Sequence, residues 1–114
     1  MKFVAEACAA ELKRGSGEMS IQGICTDSRL ARTGDVFFAI RGERFDGHDF
    51  LNEVTAKGAG AVVVEREKIP AALPECAVLV VDDARRALGR LAAKMLIDAG
   101  AGPLLAAAAG EALQ

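Results

Sequence analysis

The sequence predicts an α/β domain in which helices pack against a small mixed β-sheet. Short apolar runs of strand length alternate along the chain with segments whose apolar residues recur at helical spacing, and this alternation is typical of a layered α/β fold. A chain of 114 residues fits one domain and is long enough to bury a core without disulfides or metals. We expect four strands and three helices.

The first expected helix begins near the N-terminus. Val4, Cys8 and Leu12 recur every four residues, and Gly15 follows as a stop signal. Two glutamates interrupt the apolar run, so the segment lacks the uncharged core of a secretory signal peptide. The pattern therefore predicts an amphipathic helix that extends through Leu12.

Four runs have the composition of strands. Residues 21–25 and 36–40 are rich in β-branched and aromatic side chains. Residues 61–65 and 78–81 are continuous apolar runs, which is typical of strands covered on both faces. The prolines that bound residues 70–74 indicate a loop between the last two strands.

Two further segments have helical spacing. Residues 48–57 place apolar side chains on one face, and Gly58 follows as a stop. Residues 83–99 have the most regular helical pattern, with an aspartate available as the N-cap. The side chains of this last helix that we expect to be buried include Leu88, Leu91 and Met95. The basic residues on its opposite face, interpreted as a solvated stripe, are Arg85, Arg86, Arg90 and Lys94.

Composition argues against several classes of function. The chain has 14 basic and 16 acidic residues without long runs of either sign, and aromatic residues make up 4%, which argues against a nucleic-acid-binding surface. Cys8, Cys25 and Cys76 lack zinc-site spacing and are interpreted as reduced thiols of a cytoplasmic protein, with no metal site expected. The uncharged stretch 99–110 is too short to cross a bilayer, so no membrane insertion is expected.

Two polar loops flank the strand predicted at residues 36–40. TDSR, residues 26–29, precedes the strand, and GERFDGHD, residues 42–49, follows it. Two interpretations are open. The first loop can be a turn satisfied by an ion pair between Asp27 and Arg29, while the second caps the following helix. Alternatively, the two loops close around a ligand.

The ordered set TDSR, GDVFFAIRGERFDGHDF and KGAGAVVVE resembles the N-terminal domain of the Mur ligases. These ATP-dependent enzymes add amino acids to UDP-N-acetylmuramic acid in peptidoglycan synthesis. Within the family, GERFDGHDF is most similar to MurF, the branch that adds D-alanyl-D-alanine to the UDP-N-acetylmuramoyl tripeptide, and less similar to MurE.

The resemblance implies that residues 1–100 form the domain that binds the UDP end of the substrate, in a cytoplasmic ligase. The implied partners are a UDP-N-acetylmuramoyl peptide and, in the full ligase, D-alanyl-D-alanine. No catalytic residue is implied in this chain. The residues implied to contact uracil, ribose or phosphate are Thr26, Asp27, Ser28, Arg29, Gly42, Arg44, Phe45, Asp46, Gly47 and His48.

Residues 101–114 occupy the place where these ligases carry a phosphate-binding loop of the form G-x-x-G-K-T. Gly110 is followed by Glu111 and by neither a lysine nor a hydroxyl residue, so the loop cannot grip ATP and magnesium in the usual way. We therefore expect this chain to bind no cofactor, although ATP and Mg²⁺ serve the full-length family. The segment is interpreted as a vestige or start of a missing central domain.

Three explanations of that ending stay open, namely a truncated piece of a ligase, an interrupted gene and a foreign tail. The parent family is an ATP-dependent ligase, but we expect this chain not to be catalytic alone, because the ATP-binding and catalytic domains of the family are not represented in it. The alternative functions are a MurE-type ligase domain and a free-standing binding or interaction module that reuses the fold, and a purely structural role is weaker than either.

Overall fold

A computed structural model describes residues 2–15 and 21–98, which form one five-stranded sheet with helices on both faces. Residues 99–114, with the predicted vestige of a central domain, lie outside the described residues. The strands are β1 (Glu11–Arg14), β2 (Gly23–Cys25), β3 (Asp35–Phe38), β4 (Ala61–Glu65) and β5 (Ala77–Val81). The helices are α1 (Lys2–Cys8), α2 (Leu51–Ala56) and α3 (Ala84–Asp98).

The sheet is mixed, as the sequence predicts. Its spatial order is β1-β5-β4-β3-β2. Strands β2 to β5 are all parallel, while β1 pairs with β5 in the antiparallel direction. Since β2, β3, β4 and β5 run in one direction, their carboxyl ends all lie on the same side of the sheet. Both polar loops follow strands at this carboxyl-end edge.

Alternating side chains of the central strands build two apolar clusters, one on each face. Val63 and Leu79 point to the face covered by α1 and α3, where they join Leu91. Val62 and Val80 point to the opposite face, which α2 covers. Every residue of β4 and β5 is buried, which explains why both strands are continuous apolar runs in the sequence. The sheet is thus a rigid base for the loops at its edge.

The prediction of a helix extending through Leu12 is wrong. Helix α1 ends at Cys8, Ala9 adopts a positive φ of 53°, and the chain then turns into β1. All four residues of β1 are exposed. Their helical spacing is overridden because the backbone of this segment completes the edge of the sheet, with Leu12 opposite Leu79.

Other differences are smaller. Met95 is 46% exposed, so its predicted burial is wrong, whereas Leu88 and Leu91 of the same helix are buried as predicted. The strand predicted at residues 21–25 is limited to β2, and the helix predicted at 48–57 begins as a 3-10 turn over Gly47–Phe50 before α2. Gly58 ends α2 with a φ of 93°, as expected of a helix stop.

In the described part of the chain, no helix combines the length and apolar character needed to span a bilayer.

Candidate functional site

A cavity of about 770 Å³ opens at the edge of the sheet where the parallel strands end. The turn that follows β2 lies on one side and the loop that follows β3 lies on the other, with α2 and α3 completing the wall. Its volume is within the range of sites for small molecules, and crevices at the carboxyl ends of parallel strands are the usual ligand sites of open α/β sheets. This cavity is therefore the candidate site.

The first loop lines the cavity through Thr26, Asp27, Ser28 and Arg29. Asp27 and Arg29 form a bidentate ion pair, with Arg29 Nη2 2.8 Å from Oδ2 and Nε 3.1 Å from Oδ1. The backbone N–H of Arg29 also donates to Asp27 Oδ1 at 2.9 Å. Hydrogen bonds from the Arg29 side chain and backbone lower the pKa of Asp27 to about 2. The turn stabilised by an Asp27–Arg29 ion pair is therefore present, as the first interpretation expected. The same turn also forms part of the cavity wall.

Ser28 differs from its neighbours because it is buried, at 8% exposure. Its carbonyl accepts a 2.7 Å hydrogen bond from Lys57 Nζ, which ties the turn to the end of α2. Its hydroxyl makes no hydrogen bond to any other part of the chain that the structure describes. A hydroxyl without a partner at a cavity wall is a donor and acceptor available to a ligand.

The second loop folds back on itself. The backbones of Arg41 and Asp46 form an isolated antiparallel β-bridge. Within the loop that this bridge closes, the N–H of Gly42 donates to the Phe45 carbonyl at 2.7 Å. The N–H of Gly47 donates to the Ile40 carbonyl at 3.0 Å. A Cβ atom on Gly47 would lie 2.8 Å from the Ile40 nitrogen and 2.9 Å from the Cα atom of Ala39. Glycine is thus needed at position 47 to close the loop.

Phe45 stands at the mouth of the cavity. It is 70% exposed, and its ring centroid lies 6.4 Å from that of Phe50 at an interplanar angle of 60°. Both rings line the cavity. An exposed aromatic ring beside polar groups provides a face on which a planar ligand group can stack.

His48 does not line the cavity but fastens the second loop to the sheet. Its Nε2 accepts a 2.9 Å hydrogen bond from the backbone N–H of Glu65. Because a backbone N–H only donates, the ring proton lies on Nδ1, which donates to Asp46 Oδ1 at 2.6 Å. Asp46 also accepts from the His48 backbone N–H and pairs with Lys68. Partial burial tends to raise the pKa of Asp46, but these contacts outweigh it and lower the pKa.

Glu65 connects the end of β4 to the start of α3. Its Oε2 accepts a 2.9 Å hydrogen bond from the N–H of Ala84, and its Oε1 lies 2.6 Å from Arg41 Nε. The geometry at Oε1 is that of an ion pair without a directed hydrogen bond. The charge of this buried carboxylate is therefore compensated by Arg41 and by the positive end of α3.

The structure brings together seven of the ten residues implied by the sequence. Besides the four of the first loop, Gly42, Phe45 and Gly47 line the cavity. The three that do not line it are Arg44, Asp46 and His48. Arg44 is exposed at the tip of the second loop. Asp46 and His48 instead hold the loop against β4 through the hydrogen bonds described above.

Sequence reasoning missed Glu53 of α2 and Arg85 of α3, both of which line the cavity. Arg85 is exposed, as expected of the solvated stripe, and its side chain also lines the cavity, which the stripe interpretation does not predict. A signal was present, because Arg85 and Arg86 are basic residues in the first turn of a helix, where acidic residues are favoured. Within residues 2–15 and 21–98, no group of three His, Cys, Asp or Glu side chains is arranged to hold a metal.

Residues 20–95 match the protein-family model described as "Mur ligase family, catalytic domain". These residues include both loops, all four parallel strands and most of α3.

Among curated proteins, the chain is 46% identical over 75 residues to UDP-N-acetylmuramoyl-L-alanyl-D-glutamate--2,6-diaminopimelate ligase of Aquifex aeolicus (strain VF5), which covers 63% of this chain and 14% of that protein. It is 42% identical over 76 residues to UDP-N-acetylmuramoyl-tripeptide--D-alanyl-D-alanine ligase of Escherichia coli (strain K12), covering 67% of this chain and 16% of that protein. Relatives of both ligase types are thus found at similar identity.

Among solved structures, the crystal structure of MurF from Acinetobacter baumannii superimposes with a TM-score of 0.75 and 39% identity. The match covers 85% of this chain and 21% of that one. A MurF structure from Thermotoga maritima in complex with ADP matches with a TM-score of 0.59 and 30% identity. The chain therefore spans a small part of the length of the proteins it resembles.

Proposed function

The chain belongs to the Mur ligase family, and we propose that its described part binds the uridine diphosphate end of a UDP-N-acetylmuramoyl peptide. We further propose that the ligase in question is of the MurF type, which adds D-alanyl-D-alanine to the tripeptide. The observation that carries the binding proposal is the cavity between the two loops, which seven of the implied contact residues line.

The chemistry of the cavity suits a nucleoside. Uracil presents hydrogen-bond donors and acceptors on a flat ring, and the cavity offers the free Ser28 hydroxyl together with the exposed face of Phe45. Gly42 and Gly47 let the loop backbone approach a ligand closely. The apolar floor contributed by Phe37 excludes water from one side of the site.

The MurF assignment is supported by the solved structures, since MurF structures match this chain with TM-scores of 0.74 to 0.75. A MurE-type ligase is the second candidate, because curated relatives of that type are equally similar in sequence. The described residues are assigned a binding role, and ATP, Mg²⁺ and D-alanyl-D-alanine are assigned to the other parts of such a ligase. We also propose a cytoplasmic location, which the three free cysteines support.

The proposal is tested by an NMR titration of the ¹⁵N-labelled 114-residue chain with UDP, with the UDP-N-acetylmuramoyl tripeptide and with ATP plus Mg²⁺. We expect the two uridine ligands to shift resonances of residues 26–29 and 42–47, with a dissociation constant on the order of 1 mM, or about 4 kcal/mol of binding. Equal shifts with ATP, or none with any ligand, would favour the interaction-module alternative.

The first variant to compare is Ser28→Ala. Removing the free hydroxyl should weaken UDP binding by about 0.5 to 1.5 kcal/mol, the net value of one hydrogen bond. Thr55→Val is the matched control, because the Thr55 hydroxyl donates within α2 to the Leu51 carbonyl and does not line the cavity. If the wild type and Ser28→Ala bind UDP with equal affinity, the Ser28 hydroxyl does not contact the ligand.

A further inference from the structure

Four charged side chains line the cavity, and three of them have a partner of opposite charge. Asp27 and Arg29 pair with each other, and Glu53 lies 3.9 Å from Lys57 Nζ. Arg85 is the exception, since no carboxylate in the described part of the chain lies within ion-pair distance of it. Its only polar contact there is a long one, from Nη2 to the Arg41 carbonyl at 3.4 Å.

The position of Arg85 in its helix makes the unpaired charge more informative. Arg85 lies in the first turn of the 15-residue helix α3, which has no acidic residue in that turn. The N-terminus of a helix carries partial positive charge, so a cation there is locally unfavourable. Departures from a local preference are expected at functional sites. The helix terminus itself is already satisfied, because the N–H of Ala84 donates to Glu65 Oε2 and the N–H of Arg86 donates to Asp83 Oδ1. The group available to attract an anionic ligand is therefore the Arg85 guanidinium.

The other arginines near the cavity are less suited to an anion. The guanidinium of Arg29 is already engaged by both oxygens of Asp27, and 84% of that side chain is exposed. Arg44 is exposed on the second loop and does not line the cavity. A ligand phosphate would have to displace the Asp27 carboxylate to bind the Arg29 guanidinium. The Arg85 guanidinium has no carboxylate to displace within the described residues.

We propose that Arg85 is the residue that contacts the diphosphate of the nucleoside-diphosphate ligand, so that α3 supplies the phosphate subsite while the two loops supply the nucleoside subsite. This inference rests on the proposed function and assigns to one side chain the charge recognition that sequence reasoning placed on Arg29 or Arg44. Arg85 acts in binding and positioning, through charge-assisted hydrogen bonds to phosphate oxygens.

The test compares uridine and UDP as ligands of the labelled 114-residue chain and its variants Arg85→Gln and Arg86→Gln. Arg86 is the matched control, because it neighbours Arg85 in the same turn and is exposed without lining the cavity. We expect Arg85→Gln to raise the dissociation constant for UDP about tenfold, as for loss of a charge-assisted hydrogen bond. The constant for uridine should not change, and Arg86→Gln should bind both ligands as the wild type does.

A direct readout is the Nε–Hε resonance of Arg85, which should move with UDP and with inorganic pyrophosphate but not with uridine. Retained UDP affinity in Arg85→Gln, or equal losses in both variants, would overturn the inference while leaving the proposed function intact. Absence of any wild-type response to uridine and UDP would overturn the proposed function together with the inference. Amide spectra of each variant establish that it is folded before it is titrated.

Discussion

Individual polar side chains in this domain divide between holding the loops and facing the cavity. The hydrogen bonds from Glu65 N–H to His48 and from His48 to Asp46 lock the second loop onto β4, while Ser28 and Phe45 have free groups at the cavity. Sequence identified the residue types of both loops. It could not separate the two roles, because the partner of His48 is a backbone group 17 residues away.

At the residue scale, we expect Gly47→Ala to destabilise the domain and to weaken UDP binding. The added methyl group would meet backbone atoms of Ala39 and Ile40 at 2.8 to 2.9 Å, and backbone cannot yield as a flexible side chain does. Overpacking of this kind costs about 1 to 3 kcal/mol. The measurement is urea unfolding followed by circular dichroism, with UDP titration of the folded variant.

Gly89→Ala is the control for that substitution. Gly89 lies inside α3, and a Cβ atom there would meet nothing within 4 Å. Because glycine is unfavourable in a helix interior, the change should stabilise the domain by about 0.5 to 1 kcal/mol. If both alanine variants shift the unfolding midpoint in the same direction, close packing at Gly47 is not what requires glycine there.

At the scale of elements, the buried strands and the regular last helix were predictable, and the first segment was not. The apolar runs of β4 and β5 and the spacing in α3 are strong local signals. The segment of β1 has helical spacing, and its extended conformation depends on the free edge of β5. Its identity as a strand is therefore a property of the assembled sheet rather than of its own sequence.

Two apolar side chains of the last helix, one buried and one exposed, can be tested as a pair. Leu91 is fully buried, whereas Met95, one turn later, is 46% exposed. We expect Leu91→Ala to cost about 2 to 5 kcal/mol of unfolding free energy, as for a core leucine. Met95→Ala should change it by no more than about 0.5 kcal/mol. Comparable losses from the two substitutions would mean that Met95 is covered in solution.

At the scale of the whole molecule, the order of alternating elements was sufficient to predict a mixed α/β sheet. The sequence did not predict that the two polar loops lie at the same end of the sheet, which they do because one follows β2 and the other follows the parallel strand β3. The contribution of α3 to the cavity was not predictable from local pattern. Arg85 follows Arg29 by 56 positions in the chain, and only the parallel order of β2 to β5 brings the two to one edge. Sites assembled from several strand ends require the tertiary fold to be recognised in full.

Cys8 should make the free energy of unfolding of this domain depend on pH in the alkaline range. Cys8 is buried between α1 and α3, with its thiol 3.5 Å from the Ala87 carbonyl. Burial raises the pKa of Cys8 from its ordinary value of 9.0 to about 11, although nearby Arg90 works in the opposite direction. Above pH 9 the unfolded chain loses this proton before the folded chain does, so the folded state binds more protons.

The stabilisation from the neutral Cys8 thiol is therefore complete below pH 9 and is lost as pH rises toward 11. We expect the difference in unfolding free energy between the wild type and Cys8→Ala to narrow between pH 8 and pH 10.5, measured by urea unfolding under reducing conditions. Lysine titration is common to both proteins and cancels in the difference. Parallel pH profiles for the two would show that the thiol ionises as readily in the folded domain as in the unfolded chain, and hence that α1 does not seal this side of the core.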